Sequence, residues 1–309
     1  MNQQPHNTPS SCPGMGTPQS GHASACDGCP FQSQCQSNTA PPKDPAISLI
    51  KSKLSSVKNI IIILSGKGGV GKSTISSQLA LALALNQNLQ IGILDVDICG
   101  PSIPHMLSIE NEEVHQSNEG WTPVYKEDNL AVMSIAFLLS DKKAPVIWRG
   151  PRKNGLIQQF LSEVVWDALD YLIIDTPPGT SDEHMSLINY LSECNVKGVL
   201  IVTTPQEVAL LDVRKEIGLC MKTNVNVIGV VENMSGFVCK HCGNVTEMFT
   251  PNTGGAEEMC KEFNLKLIAK IPLEPMVMQA TEKGIGIVKE YPTSVTAIEL
   301  KKIVDEVMK

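Results

Sequence analysis

Short apolar runs recur along the chain beyond about residue 47, at 60–64, 91–95, 171–175, 198–203, 226–231 and 266–271. Each is rich enough in β-branched residues to read as a buried strand. Helical stretches lie between them. Ser73 to Asn86 carries Leu79 with Leu83, and Ala80 with Ala84, at helical spacing. Thr204-Pro205-Gln206-Glu207 reads as a helix start, with Thr204 as cap, Pro205 in the first turn and Glu207 closing a capping box. Tyr291 to Lys309 reads as a C-terminal helix. Its acids (Glu299, Asp305, Glu306) balance its lysines (Lys301, Lys302, Lys309), unlike a basic membrane-surface helix. Trp121 to Ser134 looks like a hairpin inserted in the alternation. Alternating strands and helices predict an α/β, doubly wound and largely parallel sheet.

Residues 1–45 break this pattern. They are rich in Pro, Ser, Gln, Gly and Asn and nearly devoid of large apolar residues, so they predict a flexible tail that cannot fold alone. The tail nevertheless holds Cys12, Cys26, Cys29 and Cys35. Residues 46–309 carry the globular pattern. The whole chain has 309 residues, 42% of them hydrophobic, which suffices for one large domain or two small ones. A net charge of −7 argues against direct nucleic-acid binding, which needs clustered Lys and Arg. No apolar run approaches the ~18 residues of a membrane span. The start, Met1-Asn2-Gln3-Gln4-Pro5, matches neither a signal nor a transit peptide, and the expectation is the cytoplasm or the nucleus. In a reducing compartment, ten cysteines point to metal or catalysis before disulfides.

The densest chemistry lies at Gly66-Lys67-Gly68-Gly69-Val70-Gly71-Lys72-Ser73. The octapeptide, followed by Thr74, satisfies the phosphate-loop pattern G-x-x-x-x-G-K-S/T between a strand and a helix. Its glycines let backbone N–H groups turn towards phosphates. Lys72 can reach the β/γ-phosphates of ATP, and the Ser73 hydroxyl can bind Mg²⁺. Lys67 is either a solvated loop charge or a second phosphate contact, to its own nucleotide or a partner's. Two aspartate sites end strands, at Leu94-Asp95-Val96-Asp97 and Ile173-Ile174-Asp175-Thr176-Pro177-Pro178-Gly179. Ligands of open α/β sheets sit beyond such ends. Asp175 fits a Mg²⁺-holding role and Asp97 the orientation of an attacking water. Asn233 also ends a strand, where a turn former would serve equally well.

Cys12, Cys26-x-x-Cys29 and Cys35 are separated by thirteen and five residues. Four thiolates in such a tail suit a cubane iron–sulfur cluster, although zinc or no metal at all remain open on chemistry alone. Cys239-Lys240-His241-Cys242 is half of a four-coordinate site. A second subunit on a two-fold axis would complete Cys₄; a zinc knuckle finished by Cys260 and His241 is the other option. Cys99, Cys194, Cys220 and Cys260 read as small buried residues.

The octapeptide GKGGVGKS resembles the deviant P-loop ATPases, which include Mrp/NBP-type iron–sulfur scaffolds, septum-site and partition ATPases and nitrogenase iron proteins. The resemblance implies that Lys67 crosses a dimer interface to the partner's nucleotide and that Asn233 hydrogen-bonds the adenine. With the tail cysteines, the chain resembles the larger, cysteine-tailed scaffold subunits (Nbp-type nucleotide-binding proteins) of eukaryotic cytosolic iron–sulfur assembly. The match runs through Cys12-Pro13-Gly14, Cys26-Asp27-Gly28-Cys29-Pro30, Asp95 to Pro104, Trp148-Arg149-Gly150-Pro151, Asp175 to His184, Val231 to Gly236 and Thr253 to Glu257. It implies a stable 4Fe–4S cluster on the tail and a labile one bridging two subunits through Cys239 and Cys242, in a loop at 235–250. It also implies a heterotetramer with a tail-less paralogous ATPase, and apo iron–sulfur proteins with their targeting factors as partners. The expected function is an ATP-dependent scaffold that assembles 4Fe–4S clusters and transfers them to cytosolic and nuclear apo-proteins. A nucleotide-gated iron–sulfur electron carrier is the alternative. A spatial-positioning ATPase fits poorly, because it calls for a membrane-seeking helix and not for six patterned cysteines.

Overall fold

Residues 60 to 64 are apolar at every position because the strand they form is covered on both faces. A computed structural model places them in β1 (Val57–Leu64), inside a nine-stranded sheet. Ile60, Ile62 and Leu64 enter one core, while Ile61 and Ile63 enter the other. Side chains alternate across a strand, so a strand between two helical layers needs an unbroken apolar run. The structure describes residues 12–13, 19–29, 32–37, 44–139, 150–239, 241–249 and 253–309. Gly14, Pro30, Trp148, Arg149 and Lys240, quoted above, lie outside them.

The chain divides into two units, Met1–Pro45 and Ala46–Lys309. In the first, α1 (Gln32–Ser37) follows a single 3₁₀ turn at Ser24–Cys26. Polar contacts hold these residues. The side-chain amides of Gln32 and Gln36 donate to the Gly21 carbonyl at 3.3 and 3.1 Å. Backbone bonds from Cys29 to Cys26 and from Gln32 to Cys29, both 3.0 Å, link the turn to the helix. The described part of the expected tail thus has local structure, in which glutamine amides donate to the Gly21 carbonyl.

The second unit runs α2 (Pro45–Lys53), β1, α3 (Lys72–Ala84), β2 (Ile91–Asp95), α4 (Ile103–Met106), β3 (His115–Ser117), β4 (Gly120–Thr122), β5 (Val124–Glu127), β6 (Leu130–Ser134) and α5 (Gly150–Glu163). It continues with β7 (Leu169–Asp175), α6 (Asp182–Tyr190), β8 (Val196–Thr203), α7 (Glu207–Thr223), β9 (Val227–Val238) and β10 (Val245–Thr246). The last elements are α8 (Gly255–Glu262), β11 (Leu267–Leu273), α9 (Pro275–Glu282), α10 (Ile287–Glu290) and α11 (Val295–Met308). The sheet order is β10-β9-β8-β1-β7-β2-β6-β5, with β11 also paired to β9. The pairs around β1, β2, β7, β8 and β11 are parallel, while β5–β6 and β9–β10 are antiparallel. The doubly wound, largely parallel α/β fold expected from the alternation is therefore the fold observed. Phe160, Leu187, Val213 and Met259 cover one face, and Leu79, Leu83, Leu300 and Ile303 the other. Among the described residues, no helix is long and apolar enough to cross a membrane.

Three local expectations are corrected. The helix expected at Thr204 starts at Glu207, with Gln206 extended at φ −65°, ψ 130° as its cap. Thr204 Oγ1 has no hydrogen-bond partner among the described residues, so it does not cap the helix. The expected hairpin from Trp121 splits. Trp121 belongs to β4, which pairs with β3 in a separate ribbon, and only β5 and β6 form the hairpin within the sheet. The Trp121 ring packs edge-on against Phe160 of α5 with centroids 5.5 Å apart, and the Trp121 backbone carbonyl accepts from the Val165 N–H at 2.9 Å. Finally, the strand expected at 226–231 extends to Val238, well past its apolar run.

Several polar side chains are buried in this unit, Glu216 among them. Glu216 projects from the buried face of α7, and neither of its oxygens has a hydrogen-bond partner among the described residues. Burial, then the nearby Asp212 charge, push its carboxyl up to about 8, against the pull of Lys72. The folded chain therefore holds this proton more tightly than the unfolded one. Stability is fully present below the ordinary glutamate range and declines until the pH passes the folded value. Glu216→Gln should thus gain over the wild type steadily from pH 5 to pH 8 and level off above, reaching roughly a few degrees in Tm. Thermal melts across that range check this, and a gap independent of pH would refute it.

Candidate active site

The loop between β1 and α3 is shaped by what lies beneath it. A Cβ on Gly66 would come within 2.7 Å of the backbone of Asp212 and Val213 in α7, so the loop rests directly on that helix. Gly71 caps α3 in the left-handed region at φ 84°. A Cβ there would also lie 2.2 Å from the Asn233 side-chain amide. Glycine is therefore required for both conformation and space. Asn233 donates from Nδ2 to the Val70 carbonyl at 2.8 Å, which fastens the middle of β9 to the loop.

Parallel pairing sets Ile63 of β1 beside Asp175 of β7, and Asp175 beside Asp95 of β2. The carboxylates consequently gather at one sheet edge, where α3 begins. Lys72 Nζ sits 2.6 Å from Asp175 Oδ2, with exposures of 6% and 0%. Ser73 Oγ donates to Asp175 Oδ2 at 2.6 Å and Ser76 Oγ to Oδ1 at 2.5 Å. Asp95 is wholly buried. Its Oδ1 accepts from the Asp97 N–H at 3.1 Å, and its Oδ2 from the Ile103 N–H at 3.3 Å and from Ser134 Oγ at 3.1 Å. Burial, then the Asp175 charge, push the Asp95 carboxyl up to about 8. Burial also raises Asp97, against the pull of Lys72. Asp97 Oδ1 accepts from the Gly100 N–H at 3.2 Å.

Two cavities meet over the loop. One, of about 210 Å³, is lined by Lys67, Lys72, Ser73, Asp97 and Pro178 among others. The second, of about 240 Å³, is mostly apolar and is lined by Asn233, Met234, Pro272, Leu273 and Glu274 among others. Both share Gly71 and Thr74. Met234 stands at φ 56°, a conformation uncommon for its type, and this bends β9 around the second cavity. The pair of cavities offers room for charged phosphates at one end and a flat base at the other. Ser73 and Asp175 present hard oxygen donors of the kind Mg²⁺ takes.

The structure thus brings together Gly66, Lys67, Gly68, Gly69, Val70, Gly71, Lys72, Ser73, Thr74, Asp97, Asp175 and Asn233. Sequence reasoning gave no role to Ser76 or His184 and named Asp95 without assigning it one. Ser76 lies one helical turn from Ser73, a readable signal. His184 stands three residues after Ser181, in the place of the usual Glu in a capping box. It is 1% exposed and burial lowers its pKa.

The cysteines are placed separately. Cys239 and Cys242 close a tight turn at the end of β9. The Cys239 N–H donates to Asn244 at 3.0 Å and the Gly243 N–H to Cys239 at 2.8 Å. Backbone N–H groups of His241 and Cys242 hold the Cys239 thiol below its usual range, which favours the thiolate that binds metals. Burial pushes Cys260 up to about 11, Cys194 to about 11 and Cys220 to about 12. Cys260 and Cys220 are the buried residues expected and Cys194 is partly so, but Cys99 is exposed. It follows the end of β2 in a loop, beyond the reach of the core. Among the described residues no three His, Cys, Asp or Glu side chains converge as a metal site. Cys12, Cys26, Cys29 and Cys35 are therefore not gathered into a Cys₄ set, and Cys260 does not join Cys239 and Cys242.

Solved structures resemble this chain in fold. A nucleotide-binding protein from Archaeoglobus fulgidus, solved in complex with ADP and with Co found, is 37% identical, with a TM-score of 0.66 over 79% of this chain and 93% of that one. The cell division ATPase MinD of Pyrococcus furiosus is 23% identical, with a TM-score of 0.56 over 81% of this chain and 98% of that one. MinD of Pyrococcus horikoshii with Mg-ADP is 21% identical, with a TM-score of 0.55 over 81% and 96%. The two MinD structures show the same fold. The ParA family model, described as NUBPL iron-transfer P-loop NTPase, matches residues 56–308, and the chain belongs to that family.

Proposed function

We propose that this protein is an ATP-dependent scaffold that assembles 4Fe–4S clusters and passes them to apo-proteins of the cytosol and nucleus. The observation that carries the reading is that one strand holds both chemistries. Asn233 of β9 fastens the phosphate loop, and Cys239, whose thiol is held low, follows at the end of the same strand. A change in the loop on nucleotide turnover would be transmitted to the thiols through five intervening residues. In this reading Lys72 offsets charge on the β/γ-phosphates. Ser73 and Asp175 hold Mg²⁺, which when bound neutralises charge developing on the phosphoryl group. Asp97 orients the attacking water, and the Asn233 carbonyl oxygen, left free by its Nδ2 bond, accepts from the adenine amino group. Exposed Lys67 reaches the nucleotide of a second subunit, a tail-less paralogue in a heterotetramer. Cys239 and Cys242 give half the ligands of a labile cluster, and the dimer supplies the rest. Residues 1–45 form the unit that holds a second, stable cluster through Cys12, Cys26, Cys29 and Cys35, and downstream targeting factors receive the product.

Lys72→Ala and Asp175→Ala should each lower Mg–ATP hydrolysis by about a hundredfold or more, the scale on which preorganised charges act. Steady-state phosphate release is the measurement, and activity near that of the wild type would refute these roles.

Lys67→Ala should abolish most hydrolysis while leaving nucleotide affinity of the isolated subunit little changed. Mixing it with Asp97→Ala subunits should restore part of the rate, because one composite site is then intact. Mixtures no more active than their parts would show that Lys67 does not act in trans.

Cys239→Ala should remove the cluster that transfers to an apo-acceptor and leave the tail cluster in place. Anaerobic iron and sulfide analysis with Mössbauer spectra reads both. A monomeric Cys239→Ala/Cys242→Ala variant that still loads the transferable cluster would sink the bridging model, as would zinc filling both sites.

A further inference from the structure

We infer that His184 is a positioning residue for nucleotide hydrolysis, holding the Pro177-Pro178-Gly179 loop against the phosphate cavity. This rests on the reading of the chain as an ATPase.

The loop that follows Asp175 has little to hold itself with. Pro177 and Pro178 carry no N–H, so two consecutive residues cannot donate to the surrounding structure. Thr176 ties it to the Ile63 carbonyl, through Oγ1 at 2.7 Å and through its N–H at 3.4 Å, and Oγ1 also lies 3.3 Å from the neighbouring Pro177 carbonyl. The Gly179 N–H donates to the Ser65 carbonyl at 2.7 Å. From outside the loop, the Pro177 carbonyl is met by His184 Nε2 at 3.0 Å. The Thr176 and Gly179 contacts join the loop to β1 and the start of the phosphate loop. The His184 contact joins it to α6. Between these anchors, the Pro178 ring lines the phosphate cavity. A Cβ placed on Gly68 would lie 3.8 Å from that ring. The position of the Pro177 carbonyl therefore sets the wall of the cavity opposite Lys72 and Ser73.

The histidine tautomer follows from its other partners. Nδ1 lies 3.2 Å from the Ser181 backbone N–H and 3.0 Å from Ser181 Oγ. A backbone N–H can only donate, so Nδ1 is the acceptor and Nε2 carries the proton that goes to Pro177. Burial, aided by the Lys72 charge and against that of Glu183, keeps the ring neutral. The ring thus performs two separable tasks: Nδ1 closes the N-terminus of α6, and Nε2 pins the loop. A purely structural residue would be needed for the first task only.

Two substitutions divide these tasks. In His184→Asn the side-chain oxygen stands where Nδ1 stood, so the helix cap survives and the Pro177 bond is lost. In His184→Gln the amide nitrogen stands where Nε2 stood, so the Pro177 bond survives and the cap is lost. His184→Asn should lower kcat about tenfold with KM for ATP within about twofold, whereas His184→Gln should stay within about threefold of the wild type. Hydrogen exchange gives a readout independent of turnover. With AMP-PNP and Mg²⁺, the amides of residues 179–181 should gain protection in the wild type and in His184→Gln, but not in His184→Asn. The reverse ranking in kcat, equal losses, no loss in either, or equal protection in both variants would overturn the inference. A wild-type chain that hydrolyses nothing, yet shows this exchange pattern, would overturn the ATPase reading and leave the pinning intact.

Discussion

Lys72 and Asp175 face each other at 2.6 Å with almost no exposure to solvent, and most of the site follows from accommodating them. Burying two charges costs roughly several kcal/mol per ion before their attraction and hydrogen bonds offset it. The hydroxyls of Ser73 and Ser76 contribute to that offset by saturating both oxygens of Asp175. Each partner depends on a backbone feature. Lys72 can open α3 at this point only because Gly71 turns left-handed before it. Asp175 can meet it only because β7 runs in register with β1, ending beside Ile63. The placement of the charge pair is therefore a property of the sheet, and a slip of one residue between β1 and β7 would turn Asp175 to the opposite face.

This explains which parts of the protein were legible in the sequence. Residues 60–64 and 171–175 announced buried strands because local composition sufficed. The phosphate loop was legible because its whole chemistry lies within eight consecutive residues. Asp95 was visible but underrated. Its importance comes from Ser134, 39 residues away and brought to its oxygens by the parallel pairing of β2 with β6, and from Ile103 at the start of α4. Thr204 misled because it had every local feature of a cap, while the helix begins two residues further on, behind an extended Gln206. The β3–β4 ribbon escaped because its pairing and the Trp121 contact with Phe160 of α5 join residues that no local pattern connects. The exposed Cys99 escaped for a related reason. Thiols are usually interior, and only the path of the loop after β2 carries this one outward.

A last consequence concerns how such a sequence can change over time. The side-chain amide of Asn233 occupies the space directly above Gly71, 2.2 Å from where a Cβ would stand. Any side chain at position 71 evicts that amide, and the Val70 carbonyl then loses its donor. Shortening Asn233 first vacates the space but sacrifices the same bond. Either change therefore costs the bond between Asn233 and the Val70 carbonyl, roughly 1 kcal/mol, although 163 residues separate donor and acceptor. Shortening Asn233 does not free position 71, whose φ of 84° still asks for glycine, so the loop and the strand above it share a constraint that neither can relieve alone.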